Sequence, residues 1–522
     1  MTQSITSVQL KQWLHDGQEI ALLDVREHGQ FGESHLFYAI PLPYSRLELD
    51  APRLVPRRAT RLVAYDDGRG DVAARAARRL EAIGYTQVHV LAGGTAAWTS
   101  AGYRLFQGVN LPSKTFGELV EHQLHTPRIS AQELARRQAA GDKLVVLDGR
   151  PYAEYKKMNI PGAICCPNGE LALRIADLVP DAETTVVINC AGRTRSIIGA
   201  QTLINFGVPN PVLALENGTQ GWYLADLELQ HGNTRRHGNK LPADLAQRRL
   251  RAAGLAERHD VPTLDAAQAQ VLVDDPARSC FVLDVRTPEE YAAGTLPGAQ
   301  HAPGGQLMQA TDQYVGVRHA RLLLADSDGV RAPVVASWLR QMGFDAMVLR
   351  EGIAAPLRLP APAPLAAPVL EAVDAKTLAA RIDAGSVAAF DLRAGMSYRG
   401  KHVPRSRWSI RPRLVSQVHK LDKPLVLIAD DPALARLAAI DLQEAGRPAP
   451  QLLAGGLAAW LAADLPVDSS PEIPGDADCI DYLFFVHDRH DGNKEAARRY
   501  LAWETGLIAQ LDAQELAAFR IA

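Results

Sequence analysis

The sequence predicts an α/β protein of four tandem domains, each a mainly parallel sheet with helices on both faces, followed by a helical C-terminal tail. Three observations carry this. The chain has 522 residues, more than one core organises when domains run to ~100–200 residues. Apolar strand-like runs alternate with helix-like runs, the pattern of parallel strands whose crossovers cover both faces. One ordered set of landmarks occurs four times.

The first landmark is a strand ending in Asp-x-Arg: Asp24 and Arg26, Asp148 and Arg150, Asp284 and Arg286, Asp391 and Arg393. A second apolar strand and a loop follow. Asp24 to Asp66, Asp148 to Cys190 and Asp284 to Asp326 each span 42 positions, while Asp391 to Asp430 spans 39. Then comes a helix closing on Leu-x-x-x-Gly, at Gly84, Gly207, Gly343 and Gly446. Last is a Gly turn with Trp at the fourth position, Gly94 to Trp98, Gly218 to Trp222 and Gly456 to Trp460; Pro356 takes the Trp place after Gly352.

In chain order, copy one covers 1–107, with an entry helix at 8–14 and strands at 20–25 and 61–65. A linker follows, with a helix at 116–122. Copy two covers 127–231. The polar stretch 233–259 carries Arg235-Arg236 and Arg248-Arg249 and reads as a solvated helix face. Copy three covers 261–356 and leads into an Ala/Pro spacer, 356–364, expected to be semi-extended. Copy four covers 369–468. The tail, 469–522, has an apolar run at 482–486 and a helical pattern over 494–511. Tyr500, Leu501, Trp503, Leu507, Ile508 and Leu511 form one stripe there, and the tail is expected to dock on one of the domains.

The loop heads separate the copies. Copy two has Cys190, then Ala191, Gly192, Arg193, Thr194 and Arg195. A strand, a Cys, a short turn and a helix start surround one sulfur with backbone N–H groups and a positive dipole end. Two arginines add full charge. This setting favours a nucleophilic thiolate and an anionic substrate. The other copies place Asp66-Asp67, Asp326 with Asp328, and Asp430-Asp431 there. Those carboxylates repel an anion and can cap the following helix, so copies one, three and four read as inactive. The expected packing residues are Trp98, Trp222 and Trp460; Cys165 and Cys166, Cys280 and Cys479 read as structural, with a relay thiol at 165 or 166 as the alternative.

A formal net charge of −3 gives no sign of a nucleic-acid or acidic-membrane partner. Five cysteines, odd in number and without paired spacing, suit a reduced, cytoplasmic setting. The N-terminus lacks the pattern of a signal peptide and no apolar stretch reaches ~18 residues. His487, Asp488, His490 and Asp491 read as a polar turn rather than a metal site. No metal and no cofactor is expected.

Together these residues resemble the rhodanese (sulfurtransferase) superfamily. The resemblance rests on the Asp-x-Arg ends, the Cys loop, the Gly-x-x-x-Trp endings and a segment running Glu290-Tyr291 to Leu296-Pro297-Gly298-Ala299 in copy three and Glu154-Tyr155 to Ile160-Pro161-Gly162-Ala163 in copy two. It covers all but the tail. It implies four rhodanese-like domains, only the second with the active-site Cys. It also implies a persulfide mechanism in which Cys190 takes the outer sulfur of a small anionic donor such as thiosulfate, or of a protein persulfide partner, and passes it to a thiol or cyanide. The N–H groups of residues 191–195 would cradle the persulfide, Arg193 and Arg195 would face the donor, and Arg150 would contribute to the site. Gly192 stands third in the loop where many relatives place Gly fourth, and Asn159 stands where many have His. A phosphatase or arsenate reductase uses a Cys-x5-Arg loop; here Arg195 closes a loop one residue shorter. A non-enzymatic interaction or sensor protein built from these modules is the other reading.

Overall fold

The structure, a computed structural model, describes residues 3–361, 364–490 and 492–521. Four five-stranded parallel sheets form, all with the same strand order: first, fifth, fourth, second, third. In the second sheet these are Arg128–Ile129, Val212–Leu215, Thr185–Asn189, Leu144–Asp148 and Ile164–Cys165. The middle strand, Thr185–Asn189, is buried along its whole length, as a strand covered on both faces must be. It pairs with Leu144–Asp148 so that Ile188 lies beside Leu147 and Asn189 beside Asp148. Side chains then alternate between two apolar layers, one around Tyr155, Val187 and Trp222 and one around Leu171, Ile188 and Leu203.

The landmarks have local explanations. Each Asp-x-Arg pair is an ion pair folded back on itself at a strand end: the carboxylates of Asp24, Asp148, Asp284 and Asp391 are fully buried. In each copy the arginine reaches on to a loop carbonyl, that of Ser34, Met158, Gly294 or Lys401, at 2.5–2.7 Å. Such a pair costs desolvation, recovered here by hydrogen bonds on both partners. Gly207 ends its helix with φ of +75°, the left-handed cap that favours glycine. The indole N–H groups of Trp98, Trp222 and Trp460 donate to the carbonyls of Arg104, Glu228 and Pro466, so these are the packing residues the sequence predicts.

Four expectations change. The linker helix is longer, Leu111–Leu124, and largely buried; Gly117 lets it lie against Thr194, whose Cγ2 would be 2.7 Å from an added β-carbon. The basic helix, Leu245–Arg258, is not simply a solvated face: Arg248 is buried and donates to the carbonyls of Ala172 and Leu173, because the helix is wedged between the second and third domains. The tail docks on all four domains rather than one. Lys11 pairs with Asp512, Tyr223 donates to the Gly492 carbonyl, the Arg520 N–H to Gln341, and Arg399 to Pro474. Its helix Lys494–Thr505 stops at Gly506, short of the predicted end, with Tyr500, Leu501 and Leu507 buried. In the spacer, residues 356–361 form neither helix nor strand; Pro362 and Ala363 lie outside the described residues.

Candidate functional site

Cys190 follows the middle strand of the second sheet at its carboxyl end, beside the point where strand order reverses, where ligands of open α/β sheets sit. Four residues, Cys190 to Arg193, separate this strand from the helix Thr194–Phe206. Cys190 is 2% exposed. Its carbonyl accepts the Thr219 N–H at 2.8 Å and that of Ala191 accepts the Gln220 N–H at 3.1 Å. Gly218 makes this closure possible: its φ is +53° and a β-carbon would lie 2.2 Å from the Cys190 carbonyl oxygen. Gly94 and Gly352 meet the carbonyls of Asp66 and Asp326 in the same way.

The four loops differ in who holds the helix-start N–H groups. The Asp66 carboxylate accepts from Gly68 and Ala73. Asp326 accepts from Gly329 and Ala332, while Asp328 accepts from Val330 and Arg331. In copy four Asp431, not Asp430, accepts from Ala433. The Cys190 loop has no side-chain cap. No side chain among the described residues accepts from the N–H groups of Ala191, Gly192, Arg193, Thr194 or Arg195, which leaves them for an anion.

The arginines line the site but are not bare charges. Arg193 makes a two-pronged pair with Glu118 at 2.8 and 2.9 Å and also meets Glu121. Arg195 clasps Glu154 at 2.9 and 2.8 Å, and Arg150 is held by Asp148. Burial alone would raise the Glu154 carboxyl; Arg195, with help from Arg150, wins and holds it at about 2. For Glu118 burial wins over Arg193 and the carboxyl is raised.

A cavity of about 360 Å³ opens over Cys190. Its wall combines the loop with parts from elsewhere in the chain: Lys114 from the linker helix, Gln306 and Gln309 from the third domain, and Arg489, Tyr500 and Glu504 from the tail. In the lining itself the cations Lys114, Arg150, Lys157, Arg193, Arg195 and Arg489 outnumber the carboxylates Glu154 and Glu504, with Asp148, Glu118 and Glu121 behind them pairing with Arg150 and Arg193. Sequence reasoning missed Lys114, Arg489 and Glu504, which carry no local signal. Gln220 had one: the sister copies place Ala96, Ala354 and Ala458 at its position.

The other thiols lie apart from the cavity. Burial pushes Cys165 up to about 12 and raises Cys166 well above the ordinary thiol range; Cys280 is also pushed up to about 12, and Cys479 is raised. His487 lines the cavity, while Asp491 lies outside the described residues. Among the described residues no group of three or more His, Cys, Asp or Glu is arranged to hold a metal, and no helix is long and apolar enough to cross a membrane.

The rhodanese-like domain profile matches residues 6–101, 130–225 and 265–356, more than half of the chain. A crystal structure of a thiosulfate sulfurtransferase from Pseudomonas aeruginosa is 42% identical, with a TM-score of 0.91 over 99% of both chains. A Mycobacterium tuberculosis HTH-type transcriptional regulator, Rv0324, is 35% identical over 111 residues, 21% of this chain; the match spans about half, 48%, of that relative. A putative sulfur carrier protein of Bacillus subtilis, YrkF, is 25% identical over 148 residues, 26% of this chain and 78% of that protein. Four sheets of one topology, the matched domains and a full-length relative place this chain in the rhodanese-like family, as a tandem array of sulfurtransferase-type domains.

Proposed function

We propose that the protein is a sulfurtransferase that moves sulfane sulfur from thiosulfate, or a related anionic donor, to a thiol or cyanide through a persulfide on Cys190. The observation that carries this reading is the uncapped N–H loop around Cys190 under a cation-rich cavity, in one copy of four. The Cys190 thiolate attacks the outer sulfur of thiosulfate. The new Sγ–S bond forms, the S–S bond of the donor breaks, and sulfite leaves with the electron pair. The N–H groups of residues 191–195 then face the terminal sulfur of Cys190–S–S⁻, fixed dipoles placed where charge resides. Arg193, Arg195 and Arg150 act as a braced cationic wall rather than as free charges. The five cysteines are all unpaired, which suits a reducing cytoplasmic compartment.

The test is to incubate the full chain with thiosulfate and weigh the Cys190 peptide under non-reducing conditions. Gain of one sulfur atom is expected; Cys190→Ser abolishes it, whereas Cys165→Ser and Cys166→Ser retain it. No gain from thiosulfate, mercaptopyruvate or a protein persulfide would overturn the reading in favour of a binding array, which the three carboxylate-headed loops favour.

A further inference from the structure

We infer that Glu504, carried into the site by the C-terminal tail, is the proton acceptor for a thiol that discharges sulfur from Cys190, so that the site selects a protonated thiol over cyanide. This rests on the sulfurtransferase reading and names its acceptor class.

Glu504 is 1% exposed and lies in the helix Lys494–Thr505, lining the same cavity as Cys190. Its Oε1 is held by the Lys114 ammonium at 2.6 Å and accepts the Thr194 hydroxyl at 3.4 Å. Its Oε2 has no partner among the described residues. That oxygen is aimed at the loop: a β-carbon on Gly192 would lie 2.9 Å from it. The amide nitrogen of Gln220 is 3.7 Å from the same point. Gln220 is 4% exposed and neither of its amide atoms is bonded among the described residues. Two buried, unpartnered polar groups thus converge on the Cys190 loop, each destabilising if left unsatisfied. Gln220 replaces an alanine found in the three other copies.

A carboxylate oxygen with no donor calls for a ligand that brings one. Thiosulfate, sulfite and cyanide ion carry no N–H, O–H or S–H; a thiol carries S–H. The titratable groups coupled to Glu504 are Lys114 and Glu118 on the linker helix and Arg193 on the loop, and Cys190, Arg489 and Tyr500 line the same cavity. Lys114 fixes the carboxylate and leaves one oxygen free. In the transfer step the thiol proton passes to Oε2 as the thiol sulfur attacks the outer sulfur of Cys190–S–S⁻. A new S–S bond forms, the Sγ–S bond breaks, and its electron pair returns to Cys190 as thiolate. The product leaves as RSS⁻, and Glu504 then gives its proton to the product or to solvent.

The experiment loads the full chain with thiosulfate, removes the donor, and follows single-turnover discharge by dithiothreitol and by cyanide across pH. Glu504→Gln is expected to lower the ratio of thiol to cyanide discharge rates about 10²-fold, the scale of a lost general base. Because Glu504→Gln leaves Lys114 buried without its partner, the double variant Lys114→Met with Glu504→Gln is measured as well, and the same loss is expected. An unchanged ratio in either folded variant overturns the inference, as does an equal fall for both acceptors, which marks Glu504 as structural. A wild-type chain that takes up no sulfur overturns the sulfurtransferase reading itself; one that loads but shows the variants' ratio overturns only the role of Glu504.

Discussion

Gly218 shows how one residue can be fixed by the chemistry next to it. The turn it forms must accept the Cys190 carbonyl at a distance no side chain allows, with a backbone angle that L-residues rarely adopt. Gly218→Ala is therefore expected to cost about 1–3 kcal/mol and to disorder the loop that holds Cys190. Thermal unfolding together with thiosulfate loading checks this; a variant with wild-type melting and full loading contradicts it. Cys190 itself was legible in the sequence because it is the one sulfur among four homologous loop heads. Arg193 and Arg195 were legible as members of the site but not in their state, since their partners Glu118 and Glu154 lie far along the chain.

At the scale of the loop and its helix, the proposed activity turns on whether backbone N–H groups are already occupied. In copy three Asp326 and Asp328 take four of them, and Asp328 also pairs with Arg331. Asp326→Cys in a Cys190→Ser background is expected to take up no sulfur, because Asp328 still fills the cradle and opposes an anion. Mass measurement of the peptide bearing residue 326 is the check, and robust loading there would refute this account of the silent loops. Strand ends and helix stops were legible because each landmark has a local cause: an ion pair, a left-handed glycine, an indole with a carbonyl partner. The boundary of the tail helix was missed because Gly506 ends it inside an otherwise periodic apolar stripe.

At the scale of the molecule the domains interlock, and some groups are trapped in the process. Asp312, in the third domain beside the linker helix, is buried; desolvation raises its carboxyl to about 7, with the N–H groups of Asn110 and its own neighbourhood opposing. Its pKa in the unfolded chain is about 4. The folded state therefore has its full relative stability below about pH 4 and loses it as pH rises through about 7. Asp312→Asn is expected to raise the melting temperature by a few °C at alkaline pH, since ~1.4 kcal/mol accompanies each unit of displacement, and to leave it unchanged in acid. Melting curves across pH decide it; equal effects at both ends contradict it.

The sequence by itself determined the four-fold repeat, the α/β class, the family and the one loop with a thiol, because each is written in short motifs and in periodicities that local physics enforces. Only the tertiary structure decided what stands around that thiol. Lys114, Gln306, Arg489 and Glu504 reach Cys190 from a linker, a neighbouring domain and the tail. Long-range packing of buried apolar faces brings them there, and no spacing along the chain encodes such packing.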